Sequence, residues 1–230
     1  MPGIDSYTKL LLHCDGADAS TTFIDSATGK AISVVAHAQV DTAQSKFGGA
    51  SLLLDSGTDD GLTTPDHEDW NFGSGNFTID FWIRIAGDPG ATRNILSQET
   101  AGYLRIAMLS GRKMYWDCYA GAGGAWNNEA TTLIATDTWT HCAFVRYGNV
   151  QTMYIGGVAQ ASPGSFNGSL DNLTGLLKIG TGLTVGLPCW LDEIRISKGI
   201  ARWTANFTPP TAPYSVVSKA AIGIGNPYIF

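Results

Sequence analysis

The adjacent carboxylates Asp192 and Glu193, in the segment WLDEIRISK, are the first residues of this sequence whose types could do chemistry. Two carboxylates can act as the acid and base of a glycosidase, can ligate a metal ion, or can form hydrogen bonds at the edge of a strand. The segment WLDEIRI has the pattern of a β-strand, and neighbouring side chains of a strand point to opposite faces of its sheet. A glycosidase needs both carboxyls flanking one bond, about 5 to 9.5 Å apart. The sequence therefore predicts that this pair is not catalytic.

The same alternation predicts the neighbours of each carboxylate. Asp192 is expected to share a face with Ile194 and Ile196. Glu193 is expected to share the other face with Arg195 and to form a surface ion pair with it, which would contribute little to stability.

A second group with binding chemistry surrounds the glycine-rich stretch GAGGAWNNE and consists of Tyr119, Trp126, Asn127 and Asn128. Aromatic faces can stack on a sugar ring and amides can bond its hydroxyls, and the same groups can contact a partner protein. Aromatic residues here could equally fill a core. Because six small residues precede Trp126, this tryptophan is predicted to lie exposed on a loop and to contribute to binding.

Composition excludes several classes of partner. The 230 residues carry a net charge of −6 without a cluster of Lys or Arg, which argues against binding nucleic acid, because phosphate backbones are bound by concentrated positive charge. No apolar run approaches the roughly 20 residues that span a bilayer, so no membrane partner is expected. The N-terminal segment lacks the pattern of a secretory signal, which predicts folding in a cytoplasm. The four widely spaced cysteines are predicted to be buried free thiols.

Many short alternating segments indicate an all-β fold. The clearest is FTIDFWIRI, in which Phe77, Ile79, Phe81, Ile83 and Ile85 point one way. Gly148-Asn149 and Gly156-Gly157 are typical of tight hairpin turns. Strands that recur at short spacing, without a convincing amphipathic helix, predict a two-sheet antiparallel sandwich or jelly roll.

The sequence changes character after Thr208. The segment PPTAP disfavours both helix and sheet hydrogen bonding, and the apolar segment YSVVSKAAIGIGNPYIF follows it. An exposed tail of this composition would promote aggregation, so it is predicted to be covered by its own domain or by a neighbouring subunit. The glycines and the proline within it favour an adaptable docking arm on a neighbour. The predicted organisation is an N-terminal arm over 1–6, one domain over 7–214 and a docking tail over 215–230.

Five segments in a fixed order resemble those of a known family. They are LLLHCDGADASTTFIDSATGK, SKFGGASLLLD, GSGNFTIDFWIRI, TDTWTHCAFVRYGNVQTMYIGGV and WLDEIRISKGIARWTANFTPP. Together, over about residues 7–214, they resemble the concanavalin A-like, laminin G-like jelly-roll domains. The closing SKGIARWTANFTPPTAPY is most similar to versions found in virion proteins of tailed bacteriophages. The resemblance implies two curved antiparallel sheets and a binding role, since most members bind sugars, proteins or other subunits and some are glycosidases.

The resemblance also implies a structural Ca²⁺ at the edge of the sandwich. Its matching residues here are Asp192 of the last strand and the turn from Asp25 to Gly29, with Asp15 as a further candidate. The simpler alternative is that these aspartates only bond backbone N–H groups. The glucanase members carry a Glu-x-Asp-x-x-Glu motif, which the four glutamates of this chain do not form.

These observations predict a non-enzymatic structural or binding module of a bacteriophage virion, as a capsid decoration, tail or fibre component. It would assemble in the host cytoplasm, contact other virion proteins, self-associate and reach a cell-surface glycan. The alternative is a carbohydrate-binding module of a secreted or surface protein. A glycoside hydrolase or lyase is the less favoured third hypothesis, because this sequence lacks the acid/base pair that such an enzyme needs.

Overall fold

The structure of the protein is a computed structural model that describes residues 4–54, 59–120, 124–160, 164–181 and 189–215. The predicted tail over 215–230 lies outside the described residues except for Ser215, and the N-terminal arm is described only from Ile4. Within these ranges, no helix is long and apolar enough to cross a membrane.

The described chain forms sixteen strands and one short 3₁₀ helix, Glu68–Trp70. The strands are β1 (Thr8–Leu12), β2 (Ser33–Val35), β3 (Gln39–Asp41), β4 (Ser51–Leu54), β5 (Gly61–Thr64), β6 (Phe77–Ile85), β7 (Arg93–Glu99), β8 (Tyr103–Leu109), β9 (Lys113–Tyr119), β10 (Ala125–Leu133), β11 (Thr140–Tyr147), β12 (Val150–Ile155), β13 (Val158–Ala159), β14 (Gly164–Ser165), β15 (Leu177–Ile179) and β16 (Cys189–Lys198).

Two antiparallel sheets face each other. The nine-stranded sheet has the order β13-β12-β11-β6-β16-β4-β3, with β1 paired to β16 and β14 paired to β12. The seven-stranded sheet has the order β10-β9-β8-β7-β15-β5-β2. One continuous core of buried apolar side chains fills the space between them. The predicted all-β, two-sheet jelly-roll sandwich is confirmed.

Strand β6 shows how the sequence places the core. The five alternating residues of FTIDFWIRI, from Phe77 to Ile85, all belong to the core between the sheets. The intervening residues, among them Asp80 and Trp82, therefore lie on the outer face of the nine-stranded sheet. The four cysteines are free and buried, as predicted.

The alternation predicted for the carboxylate strand is interrupted. A β-bulge lies between Asp192 and Arg195 of β16, and Glu193 adopts a left-handed backbone with φ of 51°. The extra residue of a bulge shifts which side chains face inward. As a result Asp192 pairs with Trp82 on the outer face, while Ile194 is buried in the core. The prediction that Asp192 shares a face with Ile194 is therefore wrong.

The predicted surface pair of Glu193 with Arg195 is also wrong. Both side chains are buried, and each has a different partner. Glu193 binds His13, whereas Arg195 donates two hydrogen bonds to Asp80, from Nε at 3.0 Å and from a terminal nitrogen at 3.2 Å.

Residues 199–214, which we call the strap, cover part of the outer face of the nine-stranded sheet. Trp203 and Phe207 stack with ring centroids 4.1 Å apart. They pack on a second, smaller apolar cluster formed by Ala143, Val145 and Tyr154. This sheet is therefore covered on both faces, which explains why strands β6 and β11 are buried almost throughout.

A buried polar network fixes the end of the strap. The Tyr214 hydroxyl donates to Asp80 Oδ2 at 2.5 Å, and its ring lies 3.7 Å from the Arg195 guanidinium. The fully buried Asp80 also lies 3.4 Å from His141. Although burial raises the pKa of Asp80, the charge of Arg195 and the contact with His141 lower it to about 2. Asp80 therefore remains ionised and holds the strap against the sheet.

Candidate binding site

The outer face of the seven-stranded sheet carries a cluster of tyrosines on β8 and β9. The alternate residues of these strands, such as Leu104 and Trp116, are buried in the core, so the remaining side chains point outward. We call this surface the tyrosine face. It consists of Tyr103, Arg105, Tyr115, Asp117, Tyr119 and Asn127.

Strand register brings these residues together. Tyr103 lies opposite Tyr119, and Arg105 lies opposite Asp117, which in turn lies opposite Asn127 of β10. Directly opposite residues on one face have Cβ atoms about 4.5–5.5 Å apart, so these side chains form a continuous surface.

An ion pair occupies the centre of the tyrosine face. Arg105 Nε donates to Asp117 Oδ1 at 2.9 Å and a terminal nitrogen donates to Oδ2 at 2.6 Å. The pair is largely shielded, with side-chain exposures of 23% for Arg105 and 4% for Asp117. The Asp117 hydrogen bond raises the pKa of Arg105, so the guanidinium remains charged and is paired with the carboxylate beside it.

The tyrosine rings surround this ion pair. The guanidinium of Arg105 lies 5.5 Å from the Tyr103 ring and 5.8 Å from the Tyr115 ring. The Tyr103 and Tyr119 rings are 6.2 Å apart, and Tyr119 is 42% exposed. Burial and the nearby Asp117 raise the pKa values of Tyr103 and Tyr115, so their hydroxyls remain protonated and can donate hydrogen bonds.

The arrangement suits recognition of an uncharged, flat ligand. Tyr119 offers a ring for stacking, and Asn127 offers an amide beside it. Asp117 is held in two hydrogen bonds by Arg105 and is not placed to act as an acid or base. The chemistry of this face is therefore stacking and hydrogen bonding.

The prediction that Trp126 lies exposed on a loop is wrong. Trp126 belongs to β10 and is 8% exposed, with its ring 4.7 Å from that of Trp116 in the core. Pairing with β9 places Trp126 opposite the buried Cys118, so its side chain must point inward. Asn128 follows Trp126 by two residues in the same strand, so it lies on the same face of β10 as Trp126 and away from the tyrosine face. Of the four residues predicted to bind a ligand, only Tyr119 and Asn127 share this surface.

Asp192 and Glu193 lie together with His13 and Asp15 at the end of the strand β1. Glu193 Oε1 lies 2.6 Å from His13 Nδ1, and Glu193 Oε2 accepts from the Tyr214 backbone N–H at 2.7 Å. The hydrogen bond to Glu193 raises the pKa of His13 and burial lowers it, and the net shift is upward. Glu193 thus ties the end of β1 to the end of the strap, which is a structural task.

Asp192 has one satisfied and one unsatisfied oxygen. Its Oδ2 accepts from the backbone N–H groups of Lys46 at 2.8 Å and Phe47 at 3.0 Å. Its buried Oδ1 has no hydrogen-bond partner among the described residues. Burial raises the pKa of Asp192 to about 7. An unpartnered buried oxygen is an available ligand for a cation, so Asp192 fits the predicted calcium site.

Asp25 does not fit that site. Its carboxylate accepts five hydrogen bonds, from the backbone N–H groups of Leu11, Ala27, Thr28 and Lys30 and from the Thr28 hydroxyl. Both oxygens are therefore occupied by the turn and by β1. Gly29 has φ of 75°, which the turn requires, and its N–H bonds to the Asp25 carbonyl. The simpler alternative for Asp25 and Gly29, a hydrogen-bonded turn, describes this geometry.

Asp15 remains the second candidate. Its carboxylate lies against Gly48, where a Cβ would come within 1.9 Å of Oδ1. Burial raises its pKa. The described residues contain no group of three or more His, Cys, Asp or Glu side chains placed to hold a metal ion. Calcium binding therefore stays a prediction, restricted to Asp192, Asp15 and backbone oxygens.

Sequence reasoning missed most of the tyrosine face. Tyr103, Arg105, Tyr115 and Asp117 alternate with core residues in YLRIAML and KMYWDCY, and this alternation is a readable signal. The pairing of Arg105 with Asp117 depends on the β8–β9 register, which the three-residue turn over 110–112 does not define uniquely.

The comparisons with known proteins agree with this architecture. Residues 56–201, more than half of the chain, match the family Laminin_G_3, described as the concanavalin A-like lectin/glucanases superfamily. The chain belongs to this family. No curated protein matches the sequence.

Solved structures share the fold at low sequence identity. The binding domain of Paraclostridial Mosquitocidal Protein 1 is similar with a TM-score of 0.68 and 17% identity over 84% of this chain and 49% of that chain. The receptor binding domain of botulinum neurotoxin D gives a TM-score of 0.66 and 13% identity over 85% of this chain and 50% of that one. The binding domain of botulinum neurotoxin DC, solved with rat synaptotagmin II, gives 0.65 and 16% over 86% and 49%. The chain thus spans about half the length of these relatives.

Proposed function

We propose that the protein is a non-enzymatic structural and binding module of a bacteriophage virion, in a capsid decoration, tail or fibre position. The observation that carries the proposal is the strap, whose sequence most resembles the closing segment of phage virion proteins. The strap is integral to the fold through Tyr214 and Asp80. The residue after the strap is Ser215, whose carbonyl accepts from the Ile4 N–H at 3.0 Å. The N-terminal arm and the start of the tail therefore lie side by side, which supports attachment of the domain through one end.

A non-enzymatic role is supported by the chemistry of the described carboxylates. Asp192 and Glu193 are held by backbone groups and by His13, and Asp117 is held by Arg105. Both oxygens of Glu193 and of Asp117 have a structural partner, and Asp192 has one through Oδ2.

Particle fractionation tests the virion proposal. Virions from the host of this gene are banded on a density gradient, and the protein is followed across the fractions with an antibody. We expect it to co-sediment with the capsid or tail proteins at a fixed ratio and to stay in that band after a high-salt wash. A protein that remains in the soluble fraction would contradict the proposal.

Carbohydrate binding is the second candidate, and the tyrosine face favours it. A sugar could stack on Tyr119 and bond Asn127 and the tyrosine hydroxyls. Because the central charges of Arg105 and Asp117 cancel, a neutral glycan is the expected class. One similar toxin domain was solved in complex with SialylT.

A glycan array tests this candidate. We expect binding to neutral glycans that Tyr119→Ser with Asn127→Ala reduces by about 10-fold or more, as stacking contacts of ~1 kcal/mol or more each predict. Tyr147→Ser is the matched control, because Tyr147 is 59% exposed on the other sheet. Equal loss in both variants, or no glycan bound by the wild type, would reject the glycan role and leave a protein partner.

A further inference from the structure

A cavity of about 220 Å³ opens at the point where the described chain ends. Its wall is formed by the first residues of the strap and by its last one, together with the N-terminal arm. The lining residues are Asp5, Arg195, Ile200, Ala201, Arg202, Trp203 and Tyr214. The next residue after Tyr214 is Ser215, so the tail starts at the rim of this cavity.

The charges of the cavity wall are already paired. Arg195 donates both of its bonds to Asp80, and Arg202 donates to Asp5 at 2.8 and 3.2 Å. Between these pairs the wall offers the apolar surfaces of Ile200, Ala201 and Trp203. Such a wall accepts an apolar side chain, because a charged occupant would lose its hydration without gaining a free partner.

The tail has the complementary composition. Beyond Ser215 it has fifteen residues with one charged side chain, Lys219. Ile222 and Ile224 alternate with glycines, which let a backbone approach a surface closely. A volume of about 220 Å³ accommodates one or two aliphatic side chains of this size.

We propose that the cavity binds the tail of a second copy of this chain, with Ile222 and Ile224 as the inserted side chains. The start of the tail and the cavity lie on one patch of the molecule, since the chain enters the tail at the cavity rim. A two-fold axis through such a patch places each tail at the cavity of the other copy, which is a self-complementary contact. This inference rests on the self-association within the proposed function and names where it occurs.

The test separates the two halves of the contact with full-length variants. Ala201→Trp fills the cavity and keeps the tail, whereas Ile222→Asp with Ile224→Asp keeps the cavity and charges the tail. Light scattering after size-exclusion chromatography, over a concentration series, measures the dimer dissociation constant of each protein and of their mixture. Ala91→Trp, at an exposed position elsewhere, and Ser218→Asp are the controls.

We expect a wild-type dimer whose dissociation constant rises about 100-fold or more in either variant, since each buried aliphatic side chain is worth about 10- to 100-fold. The mixture of the two variants should form a one-to-one dimer, because one intact cavity meets one intact tail. The controls should dimerise like the wild type.

Three results would overturn the proposal. The first is a monomeric wild type. This includes a monomer whose tail occupies the cavity of its own chain, which protection of Lys219 from trypsin would reveal. The second is unchanged dimerisation of both variants, and the third is a mixture that remains monomeric. Melting curves verify that Ala201→Trp is folded. If it is not, Ala201→Leu replaces it. The charged-tail variant tests the contact independently of any change in the cavity. A protein that co-sediments with virions but is monomeric would contradict this inference alone.

Discussion

At the scale of single residues, buried carboxylates in this protein serve the fold. Asp25 organises a turn, Glu193 joins two chain segments, and Asp80 holds the strap. Among the carboxylates of the described residues, only that of Asp192 keeps a buried oxygen without a hydrogen-bond partner. Acidic residues at conspicuous positions of a sequence therefore need not form an active site.

Asp25→Ala tests the structural role of that carboxylate. The change leaves buried backbone donors such as the Leu11 N–H without an acceptor, which should lower the free energy of unfolding by about 2–4 kcal/mol. Asp25→Asn keeps one acceptor oxygen and should lose less. Chemical denaturation with calcium and with a chelator measures both. A loss that appears only in calcium would show that Asp25 is a ligand after all.

Asp80→Asn has a pH-dependent effect of predictable sign. An unfolded Asp titrates near 3.9, whereas Asp80 in the folded protein has a pKa of about 2. Its ionised form therefore stabilises the fold fully above about pH 4, and this stabilisation is lost as the pH falls toward 2. At pH 7 the variant leaves Arg195 buried without its partner and should be less stable by about 3–5 kcal/mol.

Thermal melting from pH 2 to 7 measures the difference between Asp80→Asn and the wild type. The gap should narrow below pH 4. Asp137→Asn is the control, because Asp137 is an exposed partner of Arg84 and should change little at any pH. A gap that is constant with pH would show that the charge of Asp80 is not what stabilises the strap.

At the scale of elements, the strap is the feature that distinguishes this sandwich. Its aromatic residues Trp203 and Phe207 cover the nine-stranded sheet, and the His141 ring packs edge-on against both of them. Without the strap, this part of the outer face of the nine-stranded sheet would be uncovered.

Tyr214→Phe should loosen the strap selectively. The hydroxyl bond to Asp80 Oδ2 is lost from a buried site, which costs about 1–3 kcal/mol because the acceptor is charged. Hydrogen exchange should quicken for the amides of 200–214 more than for those of β6. Tyr147→Phe, on an exposed side chain, should leave exchange unchanged. Uniform acceleration across the domain would mean that the strap does not open as a separate unit.

The elements were predictable wherever one strand alone determined the pattern. The alternation in β6 predicted its core face, and the short strands predicted two sheets. The bulge at Glu193 was not predictable, because its partners His13 and Tyr214 are 180 and 21 residues away. Trp126 was misplaced for the same reason, since pairing with β9 decides its direction and the glycines before it carry no periodicity.

At the scale of the whole molecule, two distinct surfaces lie on opposite sides of the sandwich. The tyrosine face lies outside the seven-stranded sheet, and the strap, the arm and the start of the tail lie outside the other. Binding and attachment would then occur on opposite sides of one sandwich. This separation suits a module that is fixed to a particle on one side and presents a ligand-binding surface on the other.

Cross-linking mass spectrometry on intact purified virions tests this account most directly. Amine-reactive linkers report on Lys113 and Lys178 of the seven-stranded sheet and on Lys219 of the tail. The account predicts that the protein is recovered from the particles and that Lys219 is cross-linked to virion subunits, including other copies of this chain. It predicts that Lys113 and Lys178 remain free of such links. Absence of the protein from the particles, or cross-links to virion subunits mainly through Lys113 and Lys178, would contradict it.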